Sequence, residues 1–226
     1  MPQPVETRER IVRRAAQLFL CRSYRDVGVA DLCAAADVRR GSFYHFFPSK
    51  ADLAKAVVDL HAVAFDRQLR IAGVRSDDLA GDAGAGAGPT SGGAGLMSGG
   101  AGLRRVADAV FAVQSAFEDR FGRIVGCPFG NLAAELGTTD DEVRAHVAAV
   151  FTRWEAILAG LCRDAAGEGT LRPGLRPEQA AHAVIAQMQG LILLAKVGGG
   201  SARSIRDDLG VLIDSFLVPD HARSHA

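Results

Sequence analysis

Six side chains between positions 39 and 50 could together hold an anion. Arg39, Arg40 and Lys50 supply cations, Ser42 and Tyr44 supply hydroxyls, and His45 supplies a ring N–H. Gly41 stands among them with no side chain. Guanidinium groups meet phosphate, or the O6/N7 edge of guanine, in a two-pronged way. Hydroxyl and imidazole groups donate to phosphates or base edges. A glycine lets a bulky surface come close to the backbone. Interleaved with these groups are Phe43, Phe46 and Phe47, rings that belong in a core. The pattern describes a short element with one apolar face and one cationic face, and nucleic acid is the ligand that fits. A solvated charged surface over an ordinary core is the competing reading.

The elements that must position these residues read as helices. Ile11, Ala15, Leu18 and Phe19 make one stripe, with Arg8, Arg10, Arg13 and Arg14 on the remaining surface. Val29, Leu32, Cys33 and Ala36 repeat the spacing. Asp37-Val38 breaks it. A third helix over RGSFYHF spans about two turns before Pro48 ends it. Ser49, with Asp52 three residues on, caps a fourth helix buried through Leu53, Val57, Leu60 and Ala64. Three helices with a tight turn between the second and third make a helix-turn-helix, whose third helix enters the major groove. Lys50 then falls at a helix start, where free N–H groups already favour an anion.

Residues 7–60 resemble the DNA-binding domain of the TetR family of transcriptional regulators. The resemblance rests on Ile11, Ala15-Ala16 and Leu18-Phe19, on Tyr24, on VADLCAAADV, and above all on RGSFYHFFPSKADL. It implies that Arg39, Arg40, Gly41, Ser42, Tyr44, His45 and Lys50 face DNA. Two positions depart from the family pattern. Gly28 replaces the usual Ser or Thr that caps helix two, and Arg39 replaces the serine that usually opens helix three.

Helical periodicity continues downstream and no alternating strand is found, so the expected fold is all-α. The resemblance implies a helix-turn-helix domain over 1–50 followed by a helical effector-binding and dimerisation domain over 51–226. Residues 81–102 hold ten glycines in 22 positions and read as a flexible insertion. Thr139 with Glu142 reads as a capping box for a long helix, Pro177 as a first helical residue, and Ser204 with Asp207 as the start of the last helix. The resemblance implies that residues 177–218 pair with a second copy, giving a homodimer and an inverted-repeat operator. Ala180, Ala181, Ala183, Ala186 and Gly190 are small enough for such close helix approach.

Pro128 as a first helical residue makes Cys127 an N-cap, a place that favours a thiolate. The run G-C-x-x-x-x-L-x-x-E, with Leu194-Ala195-Lys196, resembles the N-ethylmaleimide reductase repressor subgroup of that family. Cys127 is thus a sensing thiol or a buried pocket residue, and Lys196 its partner or a solvated cation. The resemblance also implies a small-molecule effector pocket among the helices of the second domain, with Phe117, Phe121, Phe129, Trp154, Gln187 and Met188 as candidates, each of which more often reads as simple core.

Composition narrows the alternatives. Residues 1–70 carry 12 Lys+Arg against 8 Asp+Glu, while the rest carries 14 against 18. The positive excess sits where the nucleic-acid pattern is. Cys21, Cys33, Cys127 and Cys162 lie far apart, which argues against disulfides and thiolate metal sites. No cofactor motif is present, and no 18-residue apolar run escapes charge or glycine, so a cytoplasmic protein without a membrane span is expected. A cysteine-dependent enzyme using Cys127 and His146 lacks any nucleophile motif. A non-regulatory DNA-binding protein leaves the large apolar C-terminal part unexplained.

Overall fold

The computed structural model describes residues 4–74 and 99–219. Among them nine helices form: α1 (Pro4–Cys21), α2 (Val29–Ala36), α3 (Arg40–Phe46), α4 (Lys50–Ile71), α5 (Gly99–Phe121), α6 (Pro128–Leu136), α7 (Asp141–Gly167), α8 (Pro177–Gly198) and α9 (Ala202–Phe216). The only β feature among the described residues is an antiparallel bridge between Leu171 and Leu217. The all-α expectation holds. By compactness the chain divides into two units, 1–64 with 125–151 and 65–124 with 152–226.

In the first unit the apolar stripes close on one another. Ile11, Ala15, Leu32, Phe43, Phe47, Leu53 and Val57 are buried to within a few per cent. Arg8 lies over the Phe47 ring, 5.2 Å from its centroid. The Arg10 Nε donates to the Ala36 carbonyl at 2.8 Å, satisfying an otherwise open carbonyl at the end of α2. The turn into α3 places Asp37 in the left-handed region, at φ 50°, where Asp is better tolerated than bulkier residues. That turn closes when the Val38 N–H donates to the Cys33 carbonyl at 3.0 Å. Ser49 caps α4 as its spacing suggests. Its Oγ accepts from the Asp52 N–H at 3.0 Å, and the Asp52 carboxylate accepts from the Ser49 N–H at 3.1 Å.

Two other caps differ from the sequence reading. α7 is capped by Asp140, whose Oδ1 accepts from the Val143 N–H at 2.9 Å. Thr139 instead donates to the Glu135 carbonyl, and Glu142 pairs with Lys55 at 2.8 Å. An ionised carboxylate is the stronger acceptor, so Asp140 outcompetes its neighbour. α9 starts at Ala202, capped by Ser201 and Ser204, which accept each other's N–H at 3.1 Å.

The glycine-rich stretch lies outside the described residues as far as position 98. Its last four residues depart from the flexible reading, because Gly99–Gly102 form the first turn of α5. Gly99, Gly100 and Gly102 are buried there. A Cβ on Gly99 would collide with α7, 2.7 Å from the Leu161 carbonyl and 2.8 Å from the Ala165 Cα. On Gly102 it would lie 2.8 Å from the Leu161 side chain. These glycines let two helices approach. The Gly99 N–H also donates to the Glu168 carboxylate at 2.8 Å.

α9 runs antiparallel to α5 in the second unit. Arg104 pairs with Asp214 and Arg206 with Asp108, both at 2.7 Å, and Glu118 accepts from the Ala202 N–H at 3.0 Å. By length and composition α7 and α8 are apolar enough to cross a membrane, with best windows of mean hydropathy 1.2 and 1.4. Many of their apolar side chains pack inside the chain, among them Val143, Val147, Leu158, Val184 and Met188. Leu193, Leu194 and Val197 on α8 and Val211 on α9 stay exposed.

Candidate nucleic-acid interface

α3 has seven residues, too few to be stable alone, and its core-facing rings hold it in place. Phe43 is fully buried, Phe47 nearly so, and Phe46 half-buried. The Phe43 and Phe47 centroids lie 6.0 Å apart, and the Tyr44 ring meets Phe43 edge-on at 5.3 Å. The polar residues around those anchors turn outward. Arg39, Arg40, Gly41, Ser42, Tyr44 and His45 are all exposed, and Tyr44 has 43% of its surface open. The Arg40 guanidinium lies 5.8 Å from the Tyr44 centroid, so cation and ring share one face.

Gly41 is informative by what surrounds it. A Cβ added there would meet nothing within 4 Å. Its φ is not in the left-handed region either, so the free chain gives no conformational reason for a glycine in this helix. Gly41 is the second residue of α3, where glycine costs at most about 0.5–1 kcal/mol relative to alanine, the mid-helix figure.

Lys50 is placed differently from the other six. Its ammonium is half-buried, donating to the carbonyls of Tyr24 at 2.9 Å and Val27 at 3.0 Å. It also lies 4.1 Å from the Tyr24 ring centroid. Burial lowers its pKa, with the nearby Glu135 carboxylate pulling the other way. Two of its three donors are therefore occupied within the chain. Burial, helped by Asp140 and Glu135, raises the Tyr24 hydroxyl to about 12.

Sequence reading missed the opposite side of this turn. Glu135, near the end of α6, accepts from the Ser23 hydroxyl at 2.5 Å and from the N–H groups of Tyr24 at 2.9 Å and Arg25 at 3.1 Å. Burial pushes its carboxyl up, but the three donors and the Arg25 charge outweigh it and hold it below the usual value.

The structure distributes the sensing candidates. Cys127 is the N-cap of α6 with Pro128 as first helical residue, and it is buried. Phe129 follows it, meeting His61 and Phe151 edge-on with centroids 6.4 and 6.2 Å away. Burial holds the His61 imidazole down at about 4. In the second unit Trp154 is buried against Phe65, 4.5 Å between centroids, and its indole N–H donates to Asp66 at 3.1 Å. Arg153 holds the same carboxylate at 2.8 Å. Met188 is buried, whereas Gln187 and Lys196 are exposed on α8. Cys127 and Phe129 thus lie in one unit, and Trp154, Gln187, Met188 and Lys196 in the other.

Two family models match this chain. Bacterial regulatory proteins of the tetR family match residues 11–57, and the tetracyclin repressor-like C-terminal domain matches residues 102–206. The transcriptional regulator AcuR of Cereibacter sphaeroides is 30% identical over 187 residues, spanning 83% of this chain and 75% of its own. The chain belongs to the TetR family. Its backbone agrees, since the crystal structure of regulatory protein TetR from Rhodobacter sphaeroides superposes with a TM-score of 0.72 at 25% identity, over 93% of this chain and 98% of that one. The transcriptional repressor NemR of Escherichia coli K12 is 36% identical over 64 residues, 28% of this chain and 32% of its own. A crystal structure of reduced E. coli NemR has the same fold, at TM-score 0.67 and 21% identity over 94% of this chain and 97% of that one.

As a TetR-family member the chain is a transcriptional regulator of a kind that typically represses. Its matched N-terminal region contains the exposed face of α3, and also the loop that Lys50 and Glu135 hold. The relation of that loop to Glu135 could not be read from spacing, because more than 100 residues separate the partners. Its one sequence signal was the glutamate ending the G-C-x-x-x-x-L-x-x-E run.

Proposed function

We propose that this regulator binds an inverted-repeat operator as a homodimer, that α3 reads the major groove, and that a small-molecule effector or an electrophile or oxidant acting at Cys127 releases it. Residues 1–50 are the reading segment, and residues 51–226 carry sensing and dimerisation in a cytoplasmic protein. The observation that carries the proposal is the exposed set Arg39, Arg40, Ser42, Tyr44 and His45 on a helix anchored by Phe43 and Phe47. Gly41 supports it, since an open glycine in a helix is accounted for by a surface arriving from outside. Lys50 joins through the N-terminus of α4 and the one donor it has left.

The pairing of two copies through residues 177–218 has two supports. Leu193, Leu194, Val197 and Val211 expose between 59% and 74% of their surfaces. Gly190 and Gly210 sit within α8 and α9, and a Cβ on either would meet nothing within 4 Å in the chain. Small residues beside exposed aliphatic ones suit a close helix–helix interface. Two-fold pairing then places the two α3 helices on half-sites about one DNA turn (~10 bp) or a multiple apart.

The test is selection of a duplex from a random pool with the wild-type protein, followed by affinity against salt. Arg39→Ala and Arg40→Ala should each lower affinity, and a lost phosphate contact should reduce the salt slope by about 1. Release is tested separately. Electrophile-driven release that persists in Cys127→Ser removes the thiol mechanism and leaves non-covalent effector binding beside Phe129 or Trp154 and Met188.

A further inference from the structure

The turn over residues 23–27 is gripped from two sides. Its N–H groups at Tyr24 and Arg25, and the Ser23 hydroxyl, end on the Glu135 carboxylate of α6. Its carbonyls at Tyr24 and Val27 end on the Lys50 ammonium of α4. The Arg25 guanidinium adds a bond to the Glu135 backbone carbonyl at 3.2 Å. The turn leads without a break into the reading helices. Val27 is fully buried, the Gly28 N–H donates to the Asp31 carboxylate at 2.8 Å, and α2 begins at Val29. Only residues 37–39 separate α2 from α3.

We propose that Glu135 is a positioning residue for DNA reading, holding the 23–27 turn, and through it α2 and α3, in the posture that binds the operator. The inference rests on the reading-face proposal for α3. Glu135→Gln keeps one acceptor oxygen at the same reach, so the turn's part-buried donors are not all orphaned and the cost in stability is modest. What the carboxylate fixes is geometry. Three donors from three consecutive residues converge on one group, which leaves the turn one arrangement, the one in which the Tyr24 and Val27 carbonyls face Lys50. The grip also ties the reading helices to α6, the helix that Cys127 caps.

The experiment compares wild type, Glu135→Gln, Glu135→Asp, Ser23→Ala and the double variant Glu135→Gln/Ser23→Ala. Each is titrated on the duplex selected by the wild type, with thermal melting and amide exchange measured alongside. Glu135→Gln should speed exchange at Tyr24 and Arg25 and weaken duplex binding by about 10-fold with only a modest drop in melting temperature. Glu135→Asp keeps the charge and should recover part of the loss. The double variant should bind no more weakly than about the weaker single variant, since both residues fix one turn. Wild-type affinity in Glu135→Gln, or strictly additive losses in the double variant, overturns the proposal. If Glu135→Gln fails to fold, Ser23→Ala, which removes one donor to the carboxylate, must weaken binding by about 3-fold or the proposal fails. Tyr44→Ala runs in parallel. If it too binds as wild type, the reading-face proposal is what has failed.

Discussion

The Lys50 ammonium lies 4.1 Å from the Tyr24 ring centroid while donating to the carbonyl of that same residue at 2.9 Å. A charged donor held on a backbone carbonyl and over a ring stabilises the turn as well as any ligand it later meets. Charge-assisted hydrogen bonds and cation–π contacts are each worth about 1–3 kcal/mol when partly desolvated. Lys50→Met should therefore lower unfolding free energy by about 2 kcal/mol in urea titration. An unchanged midpoint would show that the contact carries no stability.

Gly41→Ala separates folding from function. With nothing within 4 Å of the added Cβ, the alanine fits and favours the helix by at most about 1 kcal/mol in its first turn. The melting temperature should rise while affinity for the selected duplex falls. A rise in both would mean that no surface approaches Gly41.

His61 sets an acid-side prediction. Its folded-state pKa, held down by burial to about 4, lies below the ordinary 6.5. The unfolded chain therefore binds more protons between those values, so stability falls as pH drops through that window. The loss should reach about 2 kcal/mol at pH 5 relative to neutral pH. His61→Leu should flatten the melting temperature between pH 6.5 and 5. A slope that survives the substitution assigns the acid sensitivity to other groups.

The exposed aliphatic strip makes a prediction about assembly. Leu194 and Val211 expose 66% and 72% of their surfaces. Replacing both with glutamate puts charge where a second copy would press, and should yield a folded monomer by sedimentation. A dimer that persists would move the interface away from α8 and α9.

How far the sequence could be read follows from the range of each interaction. The face of α3 was legible because a two-turn helix between Arg39 and Pro48 leaves little choice about which residues Phe43 and Phe47 drag inward. The Ser49–Asp52 cap was legible for the same local reason. The α7 cap was misread because Thr139 and Asp140 are adjacent candidates, and only the built turn decides between them. Lys50 read as free for DNA because nothing local shows that the carbonyls of Tyr24 and Val27 close over it. Gly99–Gly102 read as loop because composition reports glycine content, whereas their reason lies in Leu161 and Ala165 on another helix.

The central claim is that the outward face of α3 reads DNA, and the most direct measurement is affinity of Tyr44→Ala and Ser42→Ala for the wild-type-selected duplex at one fixed salt concentration. Ser42→Ala should keep the wild-type melting temperature, whereas Tyr44→Ala gives up the edge-on contact with Phe43 and should lower it slightly while the protein still folds. The account predicts a loss of about 1–3 kcal/mol in binding for Tyr44→Ala and a smaller loss for Ser42→Ala. Wild-type affinity in both variants, with folding intact, would contradict it.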